Sequence, residues 1–122
     1  MINQTPTLDD RYIYAAQVVR VVDGDTVVLN IDLGCGVWLN GEHCRLAGID
    51  APEKRGEDRA EGFAALHRLQ SLIEAEAFRL IVRTYKDRRG KYGRWIVELW
   101  TVDGINLNER MVSDGFAREF SE

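Results

Sequence analysis

Residues 12–49, YIYAAQVVRVVDGDTVVLNIDLGCGVWLNGEHCRLAGI, decide the fold. Tyr12–Val22 is rich in β-branched and aromatic residues, the composition of a strand. Asp23-Gly24-Asp25 interrupts it with turn residues, and TVVLNIDL resumes at once, so 23–25 read as a tight turn between paired strands. Gly34-Cys35-Gly36 marks a second reversal, and Val37–Ile49 returns as a third strand, with Asn40-Gly41 inside it as a bulge or a competing turn. A reversal at 34–36 puts Cys35 at a hairpin tip, far from Cys44, so a bond between these two cysteines is not expected.

Beyond the third strand, Ala51–Arg59 is irregular and heavily charged. From Ala60 the period changes: Phe63, Leu66, Leu69 and Ile73 recur at spacings of three and four, which predicts an amphipathic helix ending near Ala75. FRLIVRTY (78–85) and RWIVELWTV (94–102) read as a fourth and fifth strand joined by the loop KDRRGKYG. A short helix follows over Leu107–Ser113, with Asn106 as N-cap, Glu109 at the capping-box position and Gly115 just past its end. Three strands, a helix, two strands and a helix is the order of an OB-fold: a mainly β, α+β chain forming a five-stranded barrel with one long and one short helix.

One domain fits 122 residues, with 1–12 a flexible N-terminal segment and 13–122 the folded unit. No run of about 18 apolar residues is present to cross a membrane as a helix. The first fifteen residues carry no visible secretion signal, so a cytoplasmic protein, bacterial or phage-encoded, is favoured over one secreted after processing. No obligate protein partner is evident, and a monomer is the default. Two cysteines and two histidines, His43 and His67, do not complete a zinc ligand set. Trp38, Trp95, Trp100, Phe63 and Phe78 fall in apolar patterns and read as core, the two histidines as surface.

Three polar clusters sit where strands end. Asp23-Gly24-Asp25-Thr26 is explained by turn chemistry alone. Arg45 to Glu53, RLAGIDAPE, is harder to explain that way: a largely apolar strand carries Arg45 and ends in Asp50, and a second carboxylate, Glu53, follows Pro52. Pairing of the first three strands would bring Asp25, Asp50 and Glu53 to one barrel end, where they repel unless a cation lies among them; hard oxygen ligands suit calcium or magnesium. The third cluster, Arg83, Lys86, Arg88, Arg89, Lys91 and Arg94, is a solvated basic loop except for Arg94, which stands at the start of a strand. Carboxylates for a metal together with two arginines meet the needs of phosphodiester hydrolysis.

VVDGDTVVL, CRLAGIDAPE and KYGRWIVEL resemble the three signature segments of the staphylococcal nuclease family, in the right order and with the helix between the second and third. The resemblance runs from about Tyr14 to Phe120 and implies a calcium-dependent nuclease acting on DNA and RNA. It implies Asp25, Asp50 and the backbone carbonyl of Ala51 as calcium ligands, and Glu53 as general base, reaching calcium through water. Arg45 and Arg94 would then bind phosphate and stabilise the transition state, Lys91 and Tyr92 would contact substrate, and Asp23 and Thr26 would support the site. An acidic net charge of −4 and the early end after GFAREF depart from the founding nuclease, and lower substrate affinity is expected from both. A preference for single-stranded substrate follows from a shallow barrel mouth. The alternatives are a catalytically silent nucleic-acid or protein-binding module of the same family, and an OB barrel for an oligosaccharide or other ligand.

Overall fold

The computed structural model describes residues 7, 8, 12–89 and 93–121, with 86–89 described as backbone. The flexible segment expected over 1–12 falls mostly outside these residues. The Tyr12 carbonyl accepts from the Thr84 amide at 2.8 Å. Among the described residues the chain forms β1 (Ile13–Asp23), β2 (Thr26–Gly34), β3 (Val37–Leu46), β4 (Ile49–Asp50), α1 (Arg59–Glu74), β5 (Arg79–Arg89), β6 (Trp95–Trp100), α2 (Leu107–Ser113) and β7 (Arg118–Glu119). Five of the strands close a barrel in the order β1-β2-β3-β6-β5, the parallel β3–β6 pair and the antiparallel β1–β5 pair completing the ring. This is the mainly β OB-fold barrel with two helices that the order of elements predicts.

Asp23 pairs with Thr26 across the first turn, and Asn40-Gly41 is a bulge, because Leu29 pairs with Glu42 whereas Ile31 pairs with Leu39. The second hairpin turns at Gly34-Cys35-Gly36, all three at positive φ; Cys35 is exposed, Cys44 is buried in the barrel, and both are free thiols. Asn106 caps α2 by accepting from the Glu109 amide at 3.2 Å, and Gly115 ends it at φ +83°.

Several expectations need correction. The third strand does not run through to Ile49: it breaks at Ala47-Gly48, where Gly48 takes φ +76°, a left-handed conformation glycine adopts freely, and β4 restarts against β7. β5 continues four residues into the loop predicted from Lys86, because Arg89 pairs with Trp95. Trp38 and Phe78 are not core but 41% exposed each, and Phe63 is only half-buried. The face of α1 is rotated as well: Gly62, Ala65, Leu69 and Ile73 are buried, while Leu66 is half-buried beside Phe63.

The rotation has a steric cause. A Cβ on Gly62 would stand 2.2 Å from the Glu53 carbonyl oxygen, and one on Gly24 would stand 2.6 Å from the Ala65 Cβ and 2.9 Å from the Ala51 Cβ. The helix therefore meets the first turn and the 51–54 loop almost backbone to backbone. Only small residues fit that contact, and the large apolar ones are displaced to its flanks. The core itself is contiguous, with Val27, Leu29, Ile31, Leu46, Leu69, Ile73, Val82, Val97, Leu99, Leu107 and Met111 all closed to solvent or nearly so.

Candidate functional site

The turn after β1, the end of β3 and the short β4 meet at one end of the barrel, and Arg45 lies at their junction. Thr26 pairs with Arg45 across β2 and β3, and the Leu46 amide donates to the Asp25 carbonyl at 2.8 Å, which places Asp25 beside the arginine. Asp25 is 8% exposed, with both oxygens engaged: its Oδ1 accepts from the Thr26 hydroxyl at 3.0 Å, and its Oδ2 from the Ala51 amide at 2.9 Å. Arg45 Nη1 reaches the same Oδ2 at 2.8 Å. Arg45 Nη2 donates to the Ile49 carbonyl at 3.0 Å and lies 3.6 Å from Asp50 Oδ1. One guanidinium thus stands between two carboxylates, largely out of water, in close charge-assisted contact with Asp25 and with donor capacity left over.

Asp50 is also held from its other side by Arg118 of β7, whose Nε and Nη2 donate to Oδ2 at 3.2 and 3.0 Å. Asp23, at the end of β1, pairs with Lys54 at 3.6 Å. Burial pushes the Asp23 carboxyl above the ordinary range; Lys54 opposes this, and the charges of Asp25 and Glu53 add to it. Lys54 and Arg59 both stack on the Phe63 ring, at 5.9 and 5.1 Å from its centroid, so that half-buried aromatic is a platform for cations.

The structure brings Asp23, Asp25, Thr26, Arg45, Asp50 and Ala51 together and leaves Glu53 at the rim. The Glu53 side chain is 77% exposed, with Arg55 at 4.0 Å, and it lines an open cleft of about 770 Å³ with Asp50, Asp58, Glu61 and Arg118. The three-carboxylate cluster expected from sequence is not formed: among the described residues no group of three or more Asp, Glu, His or Cys side chains is gathered to hold a metal ion. Arg45, from the same segment, supplies the positive charge that the repulsion argument assigned to an outside cation. Arg94 precedes β6 by one residue and is half-buried. Two positions further on, Ile96 pairs with Arg45, so Arg94 leads into β6 beside the strand that carries Arg45. Lys91 and Tyr92 lie outside the described residues.

The donor chemistry still fits a hard divalent cation. A carboxylate offers about four acceptor positions. Asp25 uses three of them, and the partly exposed Asp50 has its Oδ1 only loosely engaged by Arg45 at 3.6 Å.

Sequence reading missed three residues of consequence. Gly62 carried a signal, a glycine within a helical pattern, which marks close packing. Asn108 is 3% exposed; it donates to the carbonyls of Ala47 and Val97 at 2.9 and 3.1 Å and accepts from the Leu99 amide at 3.1 Å, tying α2 to the turn that precedes Asp50. Arg118 carried no local signal, since its partner is 68 positions away.

Fold and site together define an OB barrel with a mixed arginine–carboxylate centre at one end. The model of the family described as Staphylococcal nuclease homologue matches residues 43–122, and the chain belongs to that family. An uncharacterized endonuclease of Escherichia coli O157:H7 is 36% identical over 101 residues, covering 83% of this chain and 58% of that protein. An uncharacterized protein of Methanocaldococcus jannaschii is 27% identical over 142 residues, covering 97% of this chain and 65% of its own length. A thermonuclease of Staphylococcus intermedius is 29% identical over 104 residues, covering 83% of this chain and 56% of that protein. The chain therefore spans less than two thirds of each of these relatives.

Proposed function

We propose that this chain is a calcium-dependent nuclease that hydrolyses phosphodiester bonds of DNA and RNA and favours single-stranded substrate. The observation that carries the reading is Arg45 held between Asp25 and Asp50 at the end of a staphylococcal-nuclease-family barrel. Asp25, Asp50 and the Ala51 carbonyl would hold the cation, which when bound neutralises phosphate charge and orients an oxygen. Arg45 is fixed in direction by Asp25 and the Ile49 carbonyl, so its remaining donor capacity is aimed before substrate arrives. With Arg94 it binds the phosphate and stabilises the charge that develops in the transition state. Glu53 stands exposed at the cleft mouth, where a carboxylate can accept a proton from a water attacking the phosphorus. Lys91 and Tyr92 contact the nucleotide. Thr26 fixes the Asp25 carboxylate, while Asp23 adds negative charge beside it.

The test is cleavage of heat-denatured DNA by the purified protein with calcium and with a chelator, for wild type and Arg94→Ala. Calcium-dependent degradation that falls by orders of magnitude in Arg94→Ala is expected. Intact DNA under both conditions refutes the nuclease and leaves a binding module on the same barrel, and an undiminished Arg94→Ala refutes the role given to that arginine.

A further inference from the structure

β7 is two residues long, yet the chain at this point addresses the site with alternate side chains. Arg118 stands opposite Asp50 in the β4–β7 ladder and directs both Nε and Nη2 onto one oxygen. Two residues on, the Phe120 ring stacks on the Arg45 guanidinium, 5.4 Å from the centroid. Glu119 between them pairs with Ile49 and, with an edge of Phe120, lines a second cleft beside Asn108 and Glu109.

Asp50 is thereby shared by two cations of different kinds: Arg118 makes the closer contact, and Arg45 is the one anchored out of water by its other partners. Arg45 approaches Oδ1 with its side chain 13% exposed and anchored by Asp25 and the Ile49 carbonyl. Arg118 takes Oδ2 with its side chain 79% exposed. An exposed ion pair contributes little and is screened by salt, so Arg118 is the partner that gives way when another cation competes for Asp50. Among the described residues lining the cleft it is also the one cation, set against Asp50, Glu53, Asp58 and Glu61.

We propose that Arg118 is a positioning residue that holds Asp50 as an exchangeable counter-cation and so sets how tightly the site takes a divalent cation. The inference rests on reading Asp50 as a cation ligand of a nuclease. Arg118 orients Asp50 while no cation is bound. Once displaced, its planar fork faces the cleft mouth, suited to a phosphate of the incoming strand. Removing its charge removes a competitor, so affinity for the divalent cation rises. Loss of a purely structural contact would lower that affinity instead.

The experiment is calorimetric titration of calcium into wild type, Arg118→Gln and Arg118→Lys, with thermal unfolding to verify the fold of each and cleavage of denatured DNA measured separately. Arg118→Gln is expected to bind calcium about two- to fivefold more tightly, the scale of an exposed ion pair, and to need a higher DNA concentration for half-maximal rate. Arg118→Lys, which keeps the charge, stays within about twofold of wild type in calcium affinity. Unchanged or weaker calcium binding by a folded Arg118→Gln overturns the proposal, and so does a wild type that binds no calcium. A wild type that binds calcium but leaves DNA intact overturns the nuclease reading alone, because the titration still decides the role of Arg118.

Discussion

Gly62→Ala tests how the site is held. The added Cβ would sit 2.2 Å from the Glu53 carbonyl oxygen, 2.4 Å from the Glu53 carbonyl carbon and 2.7 Å from the Lys54 amide nitrogen. All three are backbone atoms, so no side chain can swing aside, and either the 53–54 loop or the helix must move by about 1 Å to restore ordinary contact. Overpacking of this kind costs about 1–3 kcal/mol. Against it stands about 1 kcal/mol gained by replacing glycine with alanine inside a helix. The net effect on folding is therefore a modest loss, up to about 2 kcal/mol. The effect on activity is larger, because the loop that moves carries Glu53 and adjoins Asp50 and Ala51. A displacement of about 1 Å in a catalytic group costs about a hundredfold in rate. Urea unfolding and cleavage of denatured DNA measured on the same preparation separate the two effects. A Gly62→Ala protein that is as stable as wild type and cleaves at the wild-type rate would show that the close approach of α1 to the loop does not position Glu53, and the reasoning would fail.

Asn108→Ala leaves the buried carbonyls of Ala47 and Val97 and the buried amide of Leu99 without their side-chain partner, and should cost about 2–4 kcal/mol; an unfolding curve superimposed on wild type would contradict this. Cys44 is closed to solvent, and burial, with the nearby Glu42 charge adding to it, pushes its thiol up to about 12. Iodoacetamide at about pH 8 should therefore modify only Cys35 in the native protein, with Cys44 reacting only in denaturant; native modification of both at equal rates would refute its burial. Because the folded thiol titrates above the unfolded one, this contribution to stability is complete below the ordinary thiol range and is lost as pH rises through that range towards about 12.

The parts of the fold that were legible were those written locally. A turn of Asp and Gly between β-branched runs, an Asn cap three residues before a Glu, and a change of period at Ala60 each act over a few residues, and each element formed where its own chemistry placed it. The errors share a different origin. Counting large apolar residues assigned Phe63 and Leu66 to the helix interior, but the contact needed there is between backbones, so Gly62 and Ala65 take it. Charge counting expected three carboxylates to need an outside cation, whereas distance decides electrostatics, and Arg45 is near enough to two of them to supply the charge itself. Arg118 depends on the β4–β7 pairing, which joins residues 68 apart and leaves no mark in the local pattern.

These origins also divide the site physically. Asp25, Arg45 and Ala51 are fixed by hydrogen bonds and by small-residue contacts at Gly24 and Ala65, with almost no freedom to adjust. Glu53 and Arg118 are exposed and held by single ion pairs that water and salt can open. Contacts that a ligand entering the cleft would have to open are the weak ones, and these are at the rim. On the proposed nuclease reading, a rigid arginine–carboxylate centre with a yielding acidic rim would admit a phosphate by moving Glu53 and Arg118 alone, while the geometry that orients Arg45 stays intact.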